Sequence, residues 1–268
     1  MALHLPKITV LSIFTRMERG IIYLASGGRS YLGELLTSLR SLRRFEPDLP
    51  VTVFSRFPVP RGLKSCTALP ITSNEHPLKL KVLTLKESPY GETLFLDTDT
   101  TVLGPLGPIF DELAGHDFAA ANSHEADWSV QPHRFLAMVK PRDYNTGVLL
   151  YRKTEPMRRF LTHWEAAVMA QDSSDMWAGH HCDQFHFNQL VTHGALEKCG
   201  VDFLELDNVV CNARGIMIPE IKRLGRMREV RILHHRTRSM KARKLFYSVT
   251  NWPTIREIGI KAMRRLRG

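Results

Sequence analysis

The sequence predicts an α/β fold, a single domain around a mostly parallel central sheet. Three observations carry that expectation. Short apolar runs alternate with stretches of helical periodicity, the first three runs close on serine or aspartate, and no repeat or low-complexity linker divides the 268 residues. That length suits one large α/β domain, and 43% hydrophobic with 24% charged residues is a globular composition that excludes extended disorder.

Taken in order, Ile21-Ile22-Tyr23-Leu24-Ala25 is an apolar run closed by Ser26-Gly27-Gly28, the pattern of a buried strand entering a loop. Ser30 is the expected N-cap of a helix in which Leu32, Leu35, Leu36, Leu39 and Leu42 share one face, with Pro47 and Pro50 stopping it. Val51 to Phe54 reads as the next strand, Leu78 to Leu85 as a helix, and Thr93 to Leu96 as a third strand. Strand, helix, strand, helix, strand implies parallel pairing, with ligand-binding loops at the carboxyl ends of the strands. Further strands are expected at Phe118 to Ala121, Gly147 to Tyr151 and Val230 to Leu233, and helices at Met157 to Ala170 and Asp183 to His193.

The net charge of +10 is confined to one end. Fifteen Lys and Arg face three Glu between Pro219 and Gly268, a balance of +12 that leaves −2 for everything before it. The apolar run Ile8 to Phe14 is too short for a membrane span. Cys66, Cys182, Cys199 and Cys211 lack any CxxC spacing, so free thiols in a reducing, cytoplasmic setting are expected.

Asp97-Thr98-Asp99 follows directly on the strand Thr93 to Leu96. Two carboxylates roughly 5 Å apart repel by about 3 kcal/mol at an effective dielectric of 20. A shared proton or a cation relieves this, and oxygen ligands suit Mg²⁺ or Mn²⁺. Two other readings stay open at this point. One is a solvated turn in which an aspartate caps a helix. The other is the nucleophile loop of haloacid-dehalogenase-type phosphatases, which Asp97 to Val102 also fits. That loop normally opens its domain, however, and no downstream acidic pair completes it here.

Four further patterns accompany the acidic pair. Ala25-Ser26-Gly27-Gly28 is followed by Tyr31; Lys81 precedes Asp97 in a helical stretch; Asn145-Thr146-Gly147 precedes an apolar strand; and Cys182-Asp183-Gln184 leads into Phe187-Asn188. A fifth, Ile232-Leu233-His234-His235 with Lys241, closes the series. In this order the chain, over roughly residues 20 to 245, resembles retaining glycosyltransferases of the GT-A fold. The likeness is to the glycogenin and lipopolysaccharide galactosyltransferase group, and to the related family 77 nucleotide-diphospho-sugar transferases.

The resemblance implies a GT-A domain over residues 1–245 and a separate basic tail over 246–268. It implies a nucleoside diphosphate sugar donor, UDP-sugar first, and a saccharide, glycolipid or protein acceptor. Asp97 and Asp99 would hold Mn²⁺ or Mg²⁺ with a histidine, His234 being favoured over His235 because it directly follows the strand. Ala25, Ser26 and Tyr31 would cradle the nucleoside, and Lys81, Thr98 and Lys241 would face the diphosphate side. Asn145 and Gly147 would meet the sugar, with Asp183 and Gln184 as the groups nearest the reaction. The usual Gly and Lys-Pro-Trp after the histidine are missing here.

His180, His181, Cys182 and His186 raise zinc as an alternative, but their spacing fits no common site. Ile255 to Arg267 sets Ile255, Ile258, Ile260, Met263 and Leu266 among Arg256, Lys261, Arg264, Arg265 and Arg267, as expected of a basic amphipathic helix that lies on an anionic membrane. The Arg223 to Lys244 stretch has few aromatics and no recognised nucleic-acid motif, so no nucleic-acid partner is expected.

Overall fold

The computed structural model of the chain describes residues 19–59, 66–123, 143–176 and 182–235. Lys241, the 246–268 tail, His180 and His181 lie outside the described residues.

The chain opens with β1 (Arg19–Ala25), α1 (Arg29–Leu42), β2 (Val51–Ser55), β3 (Thr67–Pro70), α2 (Pro77–Lys86) and β4 (Glu92–Leu96). Then come β5 (Thr100–Val102), α3 (Gly107–Glu112), β6 (Phe118–Asn122), β7 (Tyr144–Arg152), α4 (Glu155–Ala170) and α5 (Asp183–Thr192). The last elements are α6 (Ala195–Cys199), β8 (Phe203–Leu206), α7 (Asn208–Cys211), β9 (Ala213–Arg214), α8 (Ile218–Arg223) and β10 (Ile232–His234).

Among the described residues the main sheet has seven strands in the order β3-β2-β1-β4-β7-β6-β8. β3, β2, β1 and β4 pair in parallel. β7 runs against both of its neighbours, β4 and β6, and β6 is parallel to β8. The sheet is therefore parallel except for one reversed strand, and that exception matters to the site. In a reversed strand it is the first residues, not the last, that reach the ligand-binding edge.

Both faces are covered, which explains why the central strands read as continuous apolar runs. Side chains alternate between faces with period two. Ile21, Tyr23 and Ala25 pack with Leu35, Leu39 and Leu42 of α1 on one side. Ile22 and Phe95 pack with Val82, Phe160, Trp164 and Phe187 from α2, α4 and α5 on the other. A second sheet of three short strands, in the order β5-β10-β9, lies beyond β4 in sequence.

Two boundary expectations are corrected. α1 opens at Arg29 on Gly28 with no side-chain cap, so Ser30 sits inside the first turn. The same helix ends at Leu42, well before Pro47. There Arg43 turns the chain by donating to the carbonyls of Glu46 and Leu49 at 2.9 and 2.7 Å. Two terminal signals of α4 are present: Thr154 caps it through Met157 N, and a proline occupies its first turn. All four cysteines are free thiols.

Candidate functional site

β4 delivers Asp97 to the edge of the sheet, and a tight turn follows in which Thr100 N donates to Asp97 O at 3.2 Å. The turn is anchored from beneath by buried hydroxyls. Thr100 Oγ1 donates to Asp97 O at 2.9 Å and meets Ser38 Oγ at 3.0 Å, which in turn meets Tyr23 Oη at 2.9 Å. Thr98 points its hydroxyl at Glu34 Oε2 of α1, 3.3 Å away, and is itself buried. Its side chain thus braces the turn against α1.

The small sheet supplies the third member. β10 pairs antiparallel with β5, setting His234 opposite Thr100, and parallel with β9, setting it beside Arg214. The His234 ring is 4% exposed, with Nε2 3.1 Å from Asp99 Oδ1 and 3.7 Å from Asp97 Oδ2. Among the described residues, Asp97, Asp99 and His234 are the one such group whose ligand atoms lie within 4.8 Å of one another. His235 is not in it.

Two hard carboxylate oxygens with one imidazole nitrogen suit Mn²⁺ or Mg²⁺ better than a soft metal. Gly147 supplies an independent test of fit. A Cβ there would collide with the His234 ring and come within 2.7 Å of Asp97 Oδ2. The residue has no side chain because the would-be ligands occupy that space.

Lys81 turns inward. It is 6% exposed on α2, with Nζ 3.2 Å from Asp97 Oδ1 and 3.0 Å from Asp183 Oδ2. It also lies 5.1 Å from the Phe95 ring centroid. Burial pulls the Lys81 ammonium down, but Asp183 and Asp97 outweigh it and hold its pKa above the ordinary lysine value. Lys81 is a fixed positive charge between two carboxylates. Burial pushes the Asp97 carboxyl up, against Lys81 and His234, with Asp99 and Asp183 adding to the rise.

Reversed β7 brings in the Asn145 to Gly147 group. Asp97 N donates to Gly147 O at 2.8 Å, so the start of β7 abuts the end of β4. These residues lie within the strand and not in a turn before it. Asn188 on α5 accepts from Tyr144 N at 2.7 Å and donates to Tyr144 O at 2.9 Å. That pair of bonds clamps α5 to β7 and brings Asp183 and Gln184 alongside. Asp183 is at the first position of α5, with Cys182 as the cap residue. Its Oδ2 accepts from Thr146 Oγ1 at 2.7 Å as well as from Lys81. Gln184 Oε1 accepts from Asn145 Nδ2 at 3.0 Å.

Ala25 and Ser26 are buried at the end of β1, where Ala25 O accepts from Ser55 Oγ at 3.2 Å and Arg56 N at 3.3 Å. The Tyr31 ring lies over Gly27, whose absent Cβ would sit 2.6 Å from it. β1 and β4 are parallel neighbours with Tyr23 opposite Leu96, so this loop and the acidic turn leave the same edge of the sheet. The sequence reading missed Thr146, Asn212 and Arg214. Thr146 was visible between Asn145 and Gly147; Asn212 and Arg214 carry no motif, and only their contacts with Asn145 and His234 reveal them.

Solved structures share this architecture. The glycosyltransferase GlyE of Streptococcus pneumoniae superposes with a TM-score of 0.56 at 16% identity, over 90% of this chain and 62% of its own. The bifunctional glycosyltransferase WbbM gives 0.58 at 12%, over 94% and 52%. A glycosyltransferase involved in glycosylation of the major capsid of PBCV-1 gives 0.51 at 13%, over 86% and 98%. The chain spans less than two thirds of the length of GlyE and WbbM. No protein-family model matches it, and no curated protein does. The chain has the GT-A fold of these glycosyltransferases, and the phosphatase alternative is not favoured.

Proposed function

We propose that the chain is a metal-dependent glycosyltransferase that moves a sugar from a nucleoside diphosphate donor to an acceptor hydroxyl with retention. One observation carries this reading: Asp97, Asp99 and His234 converge at the carboxyl edge of the sheet, linked through Lys81 to Asp183. Asp97, Asp99 and His234 would hold Mn²⁺ or Mg²⁺ there, which would supply positive charge against the departing diphosphate.

The protein's own groups do the rest. Lys81 fixes Asp97 and Asp183 relative to each other, so that the cation side and the sugar side form one rigid electrostatic unit. Thr146 and Lys81 both meet Asp183 at Oδ2, and Oδ1 is the atom proposed to accept from a sugar hydroxyl. Gln184 sits beside it with its amide aligned by Asn145. Tyr31, over Gly27, offers a ring for the nucleobase. In the transfer, the bond from the anomeric carbon to the diphosphate oxygen breaks and a bond to the acceptor oxygen forms. The acceptor proton passes to the departing phosphate on the same face. Lys241 and the basic tail are proposed to meet the diphosphate and an anionic membrane surface respectively; binding of the full chain to anionic but not neutral vesicles tests the latter.

The decisive assay measures hydrolysis and transfer for a panel of nucleotide sugars, UDP-sugars first, with and without Mn²⁺. Turnover should need the ion and fall about 100-fold or more in Asp97→Asn. Full activity in that variant, or turnover unaffected by chelation, sinks the proposal.

A further inference from the structure

Helix α1 carries two stripes side by side. Leu35, Leu39 and Leu42 form the apolar one and pack into the core with Ile21, Leu94 and Val102. One residue before each of them stand Glu34, Ser38 and Ser41, which share a face of the helix by the same spacing. This second stripe meets alternate residues of the segment that leaves β4. Glu34 Oε2 accepts from Thr98 Oγ1 at 3.3 Å, Ser38 Oγ lies 3.0 Å from Thr100 Oγ1, and Ser41 Oγ accepts from Val102 N at 2.9 Å. Asp97 and Asp99 flank Thr98 in that segment, and their carboxylates meet His234 instead.

The hydroxyls of this stripe have fixed directions. Asp97 O only accepts, so Thr100 Oγ1, 2.9 Å away, donates its one proton there. Ser38 must then donate to Thr100, and Tyr23 Oη, 2.9 Å from Ser38 Oγ, must donate to Ser38. Ser41 gives its proton to Ser38 O at 2.6 Å. Tyr23, Ser38, Ser41 and Thr100 are 0%, 0%, 1% and 2% exposed, so water does not compete within the relay. A buried hydroxyl adds little net stability, because its hydrogen bond mainly offsets its desolvation. Apolar side chains could fill these positions as the neighbouring leucines do. What the hydroxyls add is direction. Two neighbouring carboxylates repel without an ion between them, and a turn held only by its own backbone would relieve this by opening. The relay pins Asp97 O, at the start of that turn, to the helix.

We propose that Ser38 and Thr100 are positioning residues that set the separation of Asp97 and Asp99, so that the acidic turn has its cation-binding shape before any ion enters. Helix α1 is then a template for the turn as well as a cover for the sheet. The inference rests on the reading of Asp97, Asp99 and His234 as a cation site.

The test measures Mn²⁺ affinity of the full chain without donor, from the EPR signal of the free ion, at a temperature where every variant is folded. Thr100→Val keeps the shape of the side chain and removes its hydroxyl, and affinity should weaken about 10-fold. Thr100→Ser keeps the hydroxyl and should bind close to wild type. Ser38→Ala leaves the Thr100 bond to Asp97 in place but unsupported, and should weaken binding by less; full affinity there removes Ser38 from the device. Phe160→Leu, in the aromatic layer on the other face of the sheet, lowers stability without touching the relay and should leave affinity unchanged. A loss in Phe160→Leu equal to that in Thr100→Val, or no recovery in Thr100→Ser, would mean a merely structural role and overturns the proposal. Unchanged affinity in Thr100→Val, while Asp99→Asn loses it, also overturns the positioning role and leaves the cation site standing. Absence of Mn²⁺ binding in the wild type overturns both.

Discussion

At the start of β7, Asn145, Thr146 and Gly147 meet amides, a buried lysine and would-be metal ligands. A few residues along the same strand, Leu149 and Tyr151 sink into a layer with Phe118, Phe160, Trp164 and Phe187. In that layer Phe118 meets Phe187 edge-on at 5.7 Å and Trp164 approaches Phe187 at 4.9 Å. The aromatic layer gains stability from volume, and rings of similar size can replace one another there at modest cost. The polar edge depends on which atom carries the proton or the charge, so even an isosteric exchange changes it. The two regions are joined where Trp164 Nε1 donates to Asp183 O at 3.1 Å, and through α5, which carries Asp183 at its start and Phe187 in its apolar face.

That contrast can be broken by experiment. Phe187→Ala removes a fully buried ring and should cost about 3–5 kcal/mol in urea denaturation. The fraction still folded should bind Mn²⁺ normally, and a parallel loss of affinity would show that the regions are not separable. Lys81→Met leaves Asp97 and Asp183 without their shared cation and should also cost about 3–5 kcal/mol. Here, unlike Phe187→Ala, Mn²⁺ should restore part of the loss, because the ion replaces positive charge beside Asp97. Denaturation with and without the ion distinguishes the two cases.

Gly147→Ala is a smaller perturbation in volume and a larger one in function. The methyl would strike the His234 ring, so stability should fall about 1–3 kcal/mol while Mn²⁺-dependent turnover is lost almost completely. Retained turnover would remove His234 from the site.

The smallest expected effect is on pH dependence. Asp97 is raised above the ordinary aspartate value, chiefly by burial. Without metal, the folded state therefore holds that proton more readily than the unfolded chain does. Stability from this group should rise as pH falls through the window between its folded and unfolded values, above about pH 4. With Mn²⁺ the sign reverses, because the proton competes with the ion. Melting temperatures measured across that window with and without Mn²⁺ should slope in opposite directions.

Much of the fold was legible because its elements announce themselves locally. Ile21 to Ala25, Val51 to Phe54 and Thr93 to Leu96 are apolar runs of strand length, and the leucine face of α1 repeats at helical spacing. The short strands β3, β5, β8 and β9 went unread, since two to four residues are too few to display a period. The Ser30 cap failed because a serine near a helix start resembles a cap wherever the chain turns.

The sequence by itself determined that two carboxylates follow an apolar strand, and that a histidine, an Asn-x-Gly and an Asp-Gln occur in a fixed order after them. Tertiary structure alone decided what these residues do to one another. Reversal of β7 set Gly147 against Asp97, pairing of β10 with β5 carried His234 to Asp99, and Lys81 turned inward to bridge Asp97 and Asp183. The physical reason is that strand direction, register and ion pairing are settled between segments distant along the chain, whereas propensity and periodicity speak only for neighbours.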